Sequence, residues 1–354
     1  MDADKGGRRR RRRGPTLADV ARRASVSEAT VSYVLNGRPG VGEARRLEVL
    51  RAARELGFRP NRVAQALRRG ASRVFGVLLG ELSNPAYWDF SASVVETAAE
   101  HDYQVLLAYA GDVAKEDQVR TLLAHQVDGL IVTTAVEDDR PLLQELSLRD
   151  VPFVLAQRDF PGFPADFVGI DQEAGAREVV EHLLALGHRR VGILSGPRRS
   201  DTIRARVAAY EAALAAAGID TCATPFAEGE ATHASGYEMA RAMLRKASRP
   251  TALACANDLI ALGAIDAAWD EGLAVPGDVA VTGFDDVSLA AARPIQLTSV
   301  QVPRLEVGRV AIRLLLERLA APELAPRRVV LRHRVVVRAS TAGLPGGSSS
   351  PRAR

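Results

Sequence analysis

Glu28, Ala29, Ser32 and Tyr33 fall on one side of a short helical stretch and carry side chains suited to the edges of nucleic-acid bases. Stepping about 100° per residue from Glu28 puts Ser32 at roughly 40°, Ala29 at roughly 100° and Tyr33 at roughly 140°. Val31, Val34 and Leu35 gather on the opposite side, at about 300°, 240° and 340°. The apolar side needs a packing partner, so the other faces outward. A glutamate carboxylate accepts from a cytosine amino group, and an alanine methyl meets a thymine methyl. Ser27, Thr30 and Ser32 carry short hydroxyls that reach phosphate oxygens. Two readings stand for Glu28: a base contact, or a first-turn acid favoured by the helix dipole. Tyr33 has little structural purpose when exposed and is the stronger base-contact candidate.

These side chains need a positioned helix, and the flanking residues supply one. Thr16-Leu17-Ala18-Asp19 fits a capping box, with Leu17, Val20, Ala21 and Ala24 following at helical spacing. Ser25-Val26 breaks this first helix, Ser27 caps a second over Glu28–Leu35, and Asn36-Gly37 closes it. A third helix is expected over Glu43–Leu56, with Leu47, Leu50, Ala53 and Leu56 on its apolar face. Two short helices around a tight turn form a helix-turn-helix, whose second helix enters the major groove of DNA. Thr16 and Asn36, at the ends of these helices, join the DNA-facing set.

Charge distribution agrees. Residues 1–72 hold 18 Lys and Arg against 7 Asp and Glu, and the rest of the chain holds 29 against 36. A basic head on a mildly acidic body points to a polyanion-binding module joined to something else. Arg8–Arg13 alone would also suit a solvated tail or a non-specific phosphate contact. Of the 354 residues, only Cys222 and Cys255 are cysteines, without metal-site or redox spacing. No cofactor or metal is expected. No apolar run approaches the roughly 18–20 residues that span a bilayer, and the basic N-terminal run is followed by Gly14, Pro15 and Thr16 rather than an apolar segment. The chain is therefore expected to act in the cytoplasm, on the nucleoid, without membrane contact.

The runs Thr16–Ala21, Val26-Ser27-x-x-Thr30-Val31-Ser32-x-Val34-Leu35-Asn36 and Leu56–Asn61 together resemble the head of the lactose-repressor (LacI) family. Asn61-Arg62-Val63-Ala64-Gln65-Ala66-Leu67 is similar to that family's hinge helix. The resemblance implies that this segment folds on operator DNA and that Leu67 wedges into the minor groove, an apolar insertion that bends a duplex. Asn61, Arg62, Ala64 and Arg68 would lie beside the DNA with it. Gly42 and Arg45 depart from the family pattern, which has a Ser or Thr cap and often a Thr at those places.

Beyond Gly70 the texture changes. Short apolar runs alternate with helical stretches: Val74–Leu79, Gln104–Ala108, Gly129–Thr133, Phe153–Ala156, Phe167–Ile170, Val191–Ser195, Ala252–Ala256 and Val279–Phe284. Such alternation indicates parallel sheets covered on both faces, and roughly 270 residues of it make two doubly wound lobes. Ligands bind beyond the carboxyl ends of such strands, here between the lobes. Arg158 and Asp171 follow first-lobe strands, and Tyr87, Trp88 and Phe90 offer aromatic faces to a sugar, with core packing nearly as good a reading for Phe90. Val127–Ile131, His182–Arg190, Ala256-Asn257-Asp258 and Gly283-Phe284-Asp285-Asp286 also resemble LacI-family landmarks, in order along the chain. That resemblance implies that Arg206 clamps an effector, with Asn257 and Asp285 as pocket groups. Asp258 and Asp286 read as helix caps. Glu230-Ala231-Thr232 lacks the aromatic lid relatives often carry there. Thr298-Ser299-Val300 is similar to the third interlobe crossover, after which a helix near Leu305–Leu319 returns to the first lobe and Val329–Val337 ends in the second.

The expected fold is α/β: a three-helix helix-turn-helix head (15–59) after a basic tail (1–14), a hinge helix (60–72), two periplasmic-binding-protein-like doubly wound lobes (73–342) and a flexible tail (343–354). The expected function is a ligand-responsive transcription regulator, a repressor that binds a pseudo-palindromic operator in double-stranded DNA as a homodimer and responds to a small-molecule effector such as a sugar. The alternative is a small-molecule-processing α/β enzyme or solute-binding protein with an accessory DNA-binding head. Against an enzyme, Gly192–Gly196 places its serine one position late for a nucleophile elbow, and no Walker loop, GxGxxG or HExxH occurs.

Overall fold

The computed structural model describes residues 15–35, 38–58, 71–80, 84–110 and 115–342. Expectations placed on Arg8–Arg13, Asn36, Asn61, Arg62, Ala64, Leu67, Arg68 and the C-terminal tail lie outside the described residues. The chain divides into two compact units, Met1–Ser72 and Arg73–Arg354.

The first unit holds α1 (Leu17–Arg23), α2 (Glu28–Leu35) and α3 (Glu43–Glu55). The capping box forms: the Thr16 amide donates to the Asp19 carboxylate at 2.9 Å, and the Asp19 amide donates to Thr16 Oγ at 3.3 Å. The Thr16 amide, and the Thr16 hydroxyl donating to the same carboxylate oxygen at 2.7 Å, hold the Asp19 carboxyl below its usual range. Ser27 Oγ accepts from the Thr30 amide at 3.1 Å and opens α2. Val20, Val31 and Val49 meet at the centre, with Ala52 and Ala53 beside them. Leu47, expected on this core, is 55% exposed. It precedes Val49 by two residues, about 200° around the helix, so it points away from the face that α3 buries.

The second unit is two lobes. The first carries β1 (Val74–Leu79), α4 (Ala86–Glu100), β2 (Gln104–Tyr109), α5 (Lys115–Ala124), β3 (Gly129–Val132), α6 (Arg140–Leu148), β4 (Phe153–Ala156) and β5 (Asp166–Ile170). The second carries α7 (Gln172–Ala185), β6 (Val191–Ser195), α8 (Asp201–Ala216), β7 (Phe226–Glu228), α9 (His233–Leu244), β8 (Ala252–Cys255), α10 (Asp258–Asp270), β9 (Ala280–Asp285) and β10 (Thr298–Gln301). The chain then returns through α11 (Arg304–Ala320) and β11 (Arg328–Leu331) to the first lobe and ends with β12 (Arg334–Val336) in the second. Strand order is β11-β5-β4-β3-β1-β2 in one sheet and β12-β10-β9-β8-β6-β7 in the other. All pairs are parallel except β10 with β12. The inner strands β3, β4, β5, β6, β8 and β9 are buried along their whole length, as parallel strands under helices on both faces must be.

Two expectations about the end of the chain need correction. Thr298-Ser299-Val300 is not a crossover but strand β10 of the second lobe; the crossover follows at Val302-Pro303. Val329–Val337 is not one second-lobe strand. It splits at Arg332-His333 into β11, which pairs with β5, and β12, which pairs with β10. The three connections between lobes among the described residues are therefore at Asp171, Val302-Pro303 and Arg332-His333.

Candidate functional site

In the head, α2 buries Val31 and Val34 and leaves Ser27, Glu28, Ala29 and Tyr33 exposed, with Thr30 and Ser32 half-buried. This is the outward face the angular arithmetic requires. Ser27 and Thr30 share a hydroxyl–hydroxyl bond of 2.9 Å, so two of the phosphate-reaching groups are held together at the helix N-terminus. The Arg38 guanidinium lies 5.5 Å from the Tyr33 ring centroid, a cation–π approach that places a positive charge beside the candidate base-reading ring. Thr16 uses its hydroxyl in the α1 cap.

In the body, a cavity of about 330 Å³ opens between the lobes. Tyr87, Arg158, Arg206, Asn257 and Asp285 line it, and all were expected there. Each stands at or just beyond a strand end, save Tyr87 in the first turn of α4 and Arg206 on α8, where open α/β sheets bind ligands. Arg206 is 6% exposed and fixed on every nitrogen. Its Nε donates to Gln172 Oε1 at 2.9 Å, Nη1 to the Ala256 carbonyl at 2.7 Å and Nη2 to Asp285 Oδ1 at 3.4 Å. The guanidinium also stacks 3.6 Å above the Phe284 ring centroid. Burial pushes the Arg206 pKa down, and the Asp285 charge works against that shift. The fixed fork still presents its remaining N–H groups to the cavity without having to order itself on binding.

Asn257 has a dual position. Its Oδ1 accepts from the Ile260 amide at 2.8 Å and caps α10, while its Nδ2 donates to the Ala231 carbonyl at 3.1 Å. Asp285 and the following Asp286 have φ of +117° and +52°, a region costly for residues with a side chain by roughly 1–3 kcal/mol each. The turn is held from several directions. Arg304 Nη1 donates to the Asp285 carbonyl, the Asp286 amide donates to Ser299 Oγ at 3.0 Å, and the Val287 amide donates to Asp258 Oδ2 at 2.8 Å.

Other expected site residues lie elsewhere. Asp171 does not line the cavity: its carboxylate accepts from the Ala174 amide at 2.9 Å and caps α7, and its neighbour Gln172 faces the cavity instead. Trp88 is 57% exposed and also lies outside the lining, because α4 turns Tyr87 inward and the next residue about 100° away. Phe90 is fully buried in the core. Asp258 and Asp286 are not helix caps. Asp258 is fully buried between Ser299 and Val287, and Asp286 accepts from Gln301 at 2.9 Å and pairs with Arg338 at 2.7 Å. The lining also includes Gln157, Gln172 and Arg199, which the motifs did not single out. The rule that ligands meet strand ends, applied to β4, β5 and β6, finds all three. Glu230-Ala231-Thr232 does reach the cavity, without an aromatic ring.

Among the described residues, no group of three or more His, Cys, Asp or Glu gathers as a metal site, and no helix is long and apolar enough to cross a membrane. Cys255 is buried, and burial pushes its thiol pKa up, so it is an inert core residue.

Comparison with known proteins decides the family. Residues 16–61 match the profile described as bacterial regulatory proteins, lacI family, and residues 180–341 match that of a periplasmic binding protein-like domain. Catabolite control protein A of Priestia megaterium is 34% identical over 329 residues, covering 92% of this chain and 99% of that protein. The chain belongs to the LacI family. Among solved structures, the lac repressor dimer bound to operator and an anti-inducer is 31% identical, with a TM-score of 0.83, covering 93% of this chain and 99% of that one. A complex of the regulator CelR with cellobiose is 34% identical, with a TM-score of 0.70, covering 92% and 99%. This LacI-family chain is a DNA-binding transcription regulator of the ligand-responsive kind, and its relatives are regulators rather than enzymes.

Proposed function

We propose that the protein is a repressor that binds a pseudo-palindromic operator as a homodimer in the cytoplasm and is controlled by a small polar metabolite, a sugar or a related compound, held between its lobes. The observation that carries this reading is the cavity: a fixed, buried arginine and two further polar side chains converge on a space of about 330 Å³, near the lower limit of roughly 300–1,000 Å³ for small-molecule sites. Tyr33, Glu28 and Ala29 read bases in this proposal, while Ser27, Thr30, Ser32 and Thr16 steady the head on phosphates. Asn36, Asn61, Arg62, Ala64 and Arg68 add contacts, with Leu67 as the minor-groove wedge. Arg206, Asn257 and Asp285 hold the effector, with Tyr87 and Arg158 facing them.

An effector shifts DNA affinity only through its different affinity for the two lobe arrangements. The test is selection of binding sites from random duplexes with the full-length protein, followed by operator titration with candidate metabolites. A two-fold symmetric consensus, with operator affinity changed by a compound that also binds the protein, is the expected result. An asymmetric or absent consensus would overturn the dimeric operator reading. Operator affinity indifferent to every bound compound would overturn the response.

A further inference from the structure

The cations of the head are not all open to a polyanion. Among its described residues, Arg22 pairs with Asp19 at 2.7 Å and Arg23 with Glu55 at 2.5 Å, and Arg51 lies 3.9 Å from Glu48 and 3.8 Å from Glu55. Arg38 pairs with no carboxylate. Its backbone is nevertheless tied at both ends. The Arg38 amide donates to the Tyr33 carbonyl at 3.0 Å, just past the end of α2, and the Arg38 carbonyl accepts from Arg46 Nη2 in the first turn of α3 at 3.1 Å.

From that anchored backbone the side chain turns back toward α2, where its guanidinium lies 5.5 Å from the centroid of the exposed Tyr33 ring. A ring beside a guanidinium limits its rotamers before DNA arrives, so less freedom is lost on binding. The pairing also changes what Tyr33 offers. With a cation against the ring, less of its face is open to a thymine methyl. The edge of the pair presents guanidinium N–H donors and one phenol hydroxyl. Guanine answers such an edge with two acceptors, N7 and O6, in the major groove. Adenine sets an amino donor beside its N7 and meets a donor fork poorly. A phosphate accepts from an arginine without needing a ring beside it.

We propose that Arg38, held against Tyr33, is a further base-reading side chain of the head and selects a guanine in each half-site of the operator. The Tyr33 ring aims the guanidinium, and its hydroxyl stays free for a neighbouring base. The proposal rests on α2 being the DNA-reading helix. Arg38 lies outside that helix and is brought to its outward face by the turn that joins α2 to α3.

Selection of sites from random duplexes with the full-length protein, followed by titration of the selected operator at several salt concentrations, tests it. The wild type selects a guanine in each half-site that Arg38→Met no longer selects. Replacing that guanine with 7-deazaguanine, which lacks the N7 acceptor, weakens wild-type binding about fivefold or more and leaves binding by Arg38→Met unchanged. Arg38→Lys keeps the charge without the planar fork, so it loses the guanine preference but keeps the salt dependence. Tyr33→Phe keeps the preference, Tyr33→Ala weakens it, and Arg54→Met, an exposed change near the other end of α3, leaves it intact; melting curves report whether each variant folds. A loss in Arg38→Met that is equal on all sequences, with the guanine preference intact and a shallower salt dependence, would make Arg38 a phosphate contact. That result, or a selected consensus without the guanine, would overturn the proposal while leaving α2 as the reader. A wild-type protein that selects no consensus would overturn the reading of α2 as well.

Discussion

Beside the Asp285 turn, Asp258 is fully buried with its carboxyl pKa pushed up to about 8 from an ordinary value of 3.8, first by burial and then by the Asp285 charge. Between those two values the native protein holds a proton that the unfolded chain has released. Stability then falls as pH rises through the window, because the folded state binds more protons than the unfolded one. The slope from one such group is at most roughly 1.4 kcal/mol per pH unit. Asp258→Asn, which resembles the protonated acid in shape, is expected to flatten the decline in melting temperature between pH 5 and 8. An unchanged profile in the variant would show that Asp258 is ionised throughout. Arg206, Asn257 and Asp285 were legible in the sequence because each sits in a recognisable motif. Arg304 and Gln172 were not, since their place beside the cavity depends on where two interlobe crossovers bring the first residues of α11 and α7. Asp171 misled for a related reason. A strand end followed by a helix start offers an acid both a ligand and a cap, and the amide of Ala174 took it.

Among the elements, α9 and α10 are the closest-packed helix pair in the second lobe, and glycines make that approach possible. A Cβ at Gly263 would lie 2.0 Å from the His233 carbonyl oxygen and 2.6 Å from the Tyr237 nitrogen, and one at Gly236 would lie 2.3 Å from the Ile260 carbonyl oxygen. These are backbone atoms and cannot rotate aside. Gly263→Ala therefore forces the helices apart, against alanine's better helix propensity, and is expected to lower stability by roughly 1–3 kcal/mol in urea unfolding. A neutral or stabilising result would mean that the pair can separate at little cost. Most elements were visible as apolar runs or capped helical patterns. The strands that escaped or were merged, β7, β11 and β12, are short edge pieces with alternating or partial burial. Their side chains carry no continuous apolar signal, and their pairing partners are far away in sequence.

For the whole molecule, the first lobe leaves apolar surface uncovered. Trp88 and Val95, two turns apart on α4, are 57% and 44% exposed, and Leu107 and Tyr109 on the neighbouring edge strand β2 are 48% and 50% exposed. A surface of large apolar groups on one side of a folded unit suits a second copy of the chain, as the two half-sites of a symmetric operator require. Trp88→Arg together with Leu107→Arg is expected to raise the dimer dissociation constant by roughly 30-fold or more, read by sedimentation, and to weaken operator binding with it. A double variant that stayed dimeric at the same concentration would place the interface elsewhere.

The sequence by itself determined the helix-turn-helix, the outward face of α2, the two-lobed α/β body and the family. Each depends on local periodicity, capping or motifs read within a few tens of residues. Tertiary structure decided which polar groups meet. Arg206, Asp285, Arg304 and Gln172 come from four separate segments: the first two belong to the second lobe, and two passages of chain between the lobes bring Gln172 and Arg304 to them. Tertiary structure also split the last predicted strand between two sheets and removed Asp171 and Trp88 from the cavity. A residue's type and spacing state what it can bond to; which of several partners it takes depends on long-range packing, and there the nearest satisfied hydrogen bond prevails.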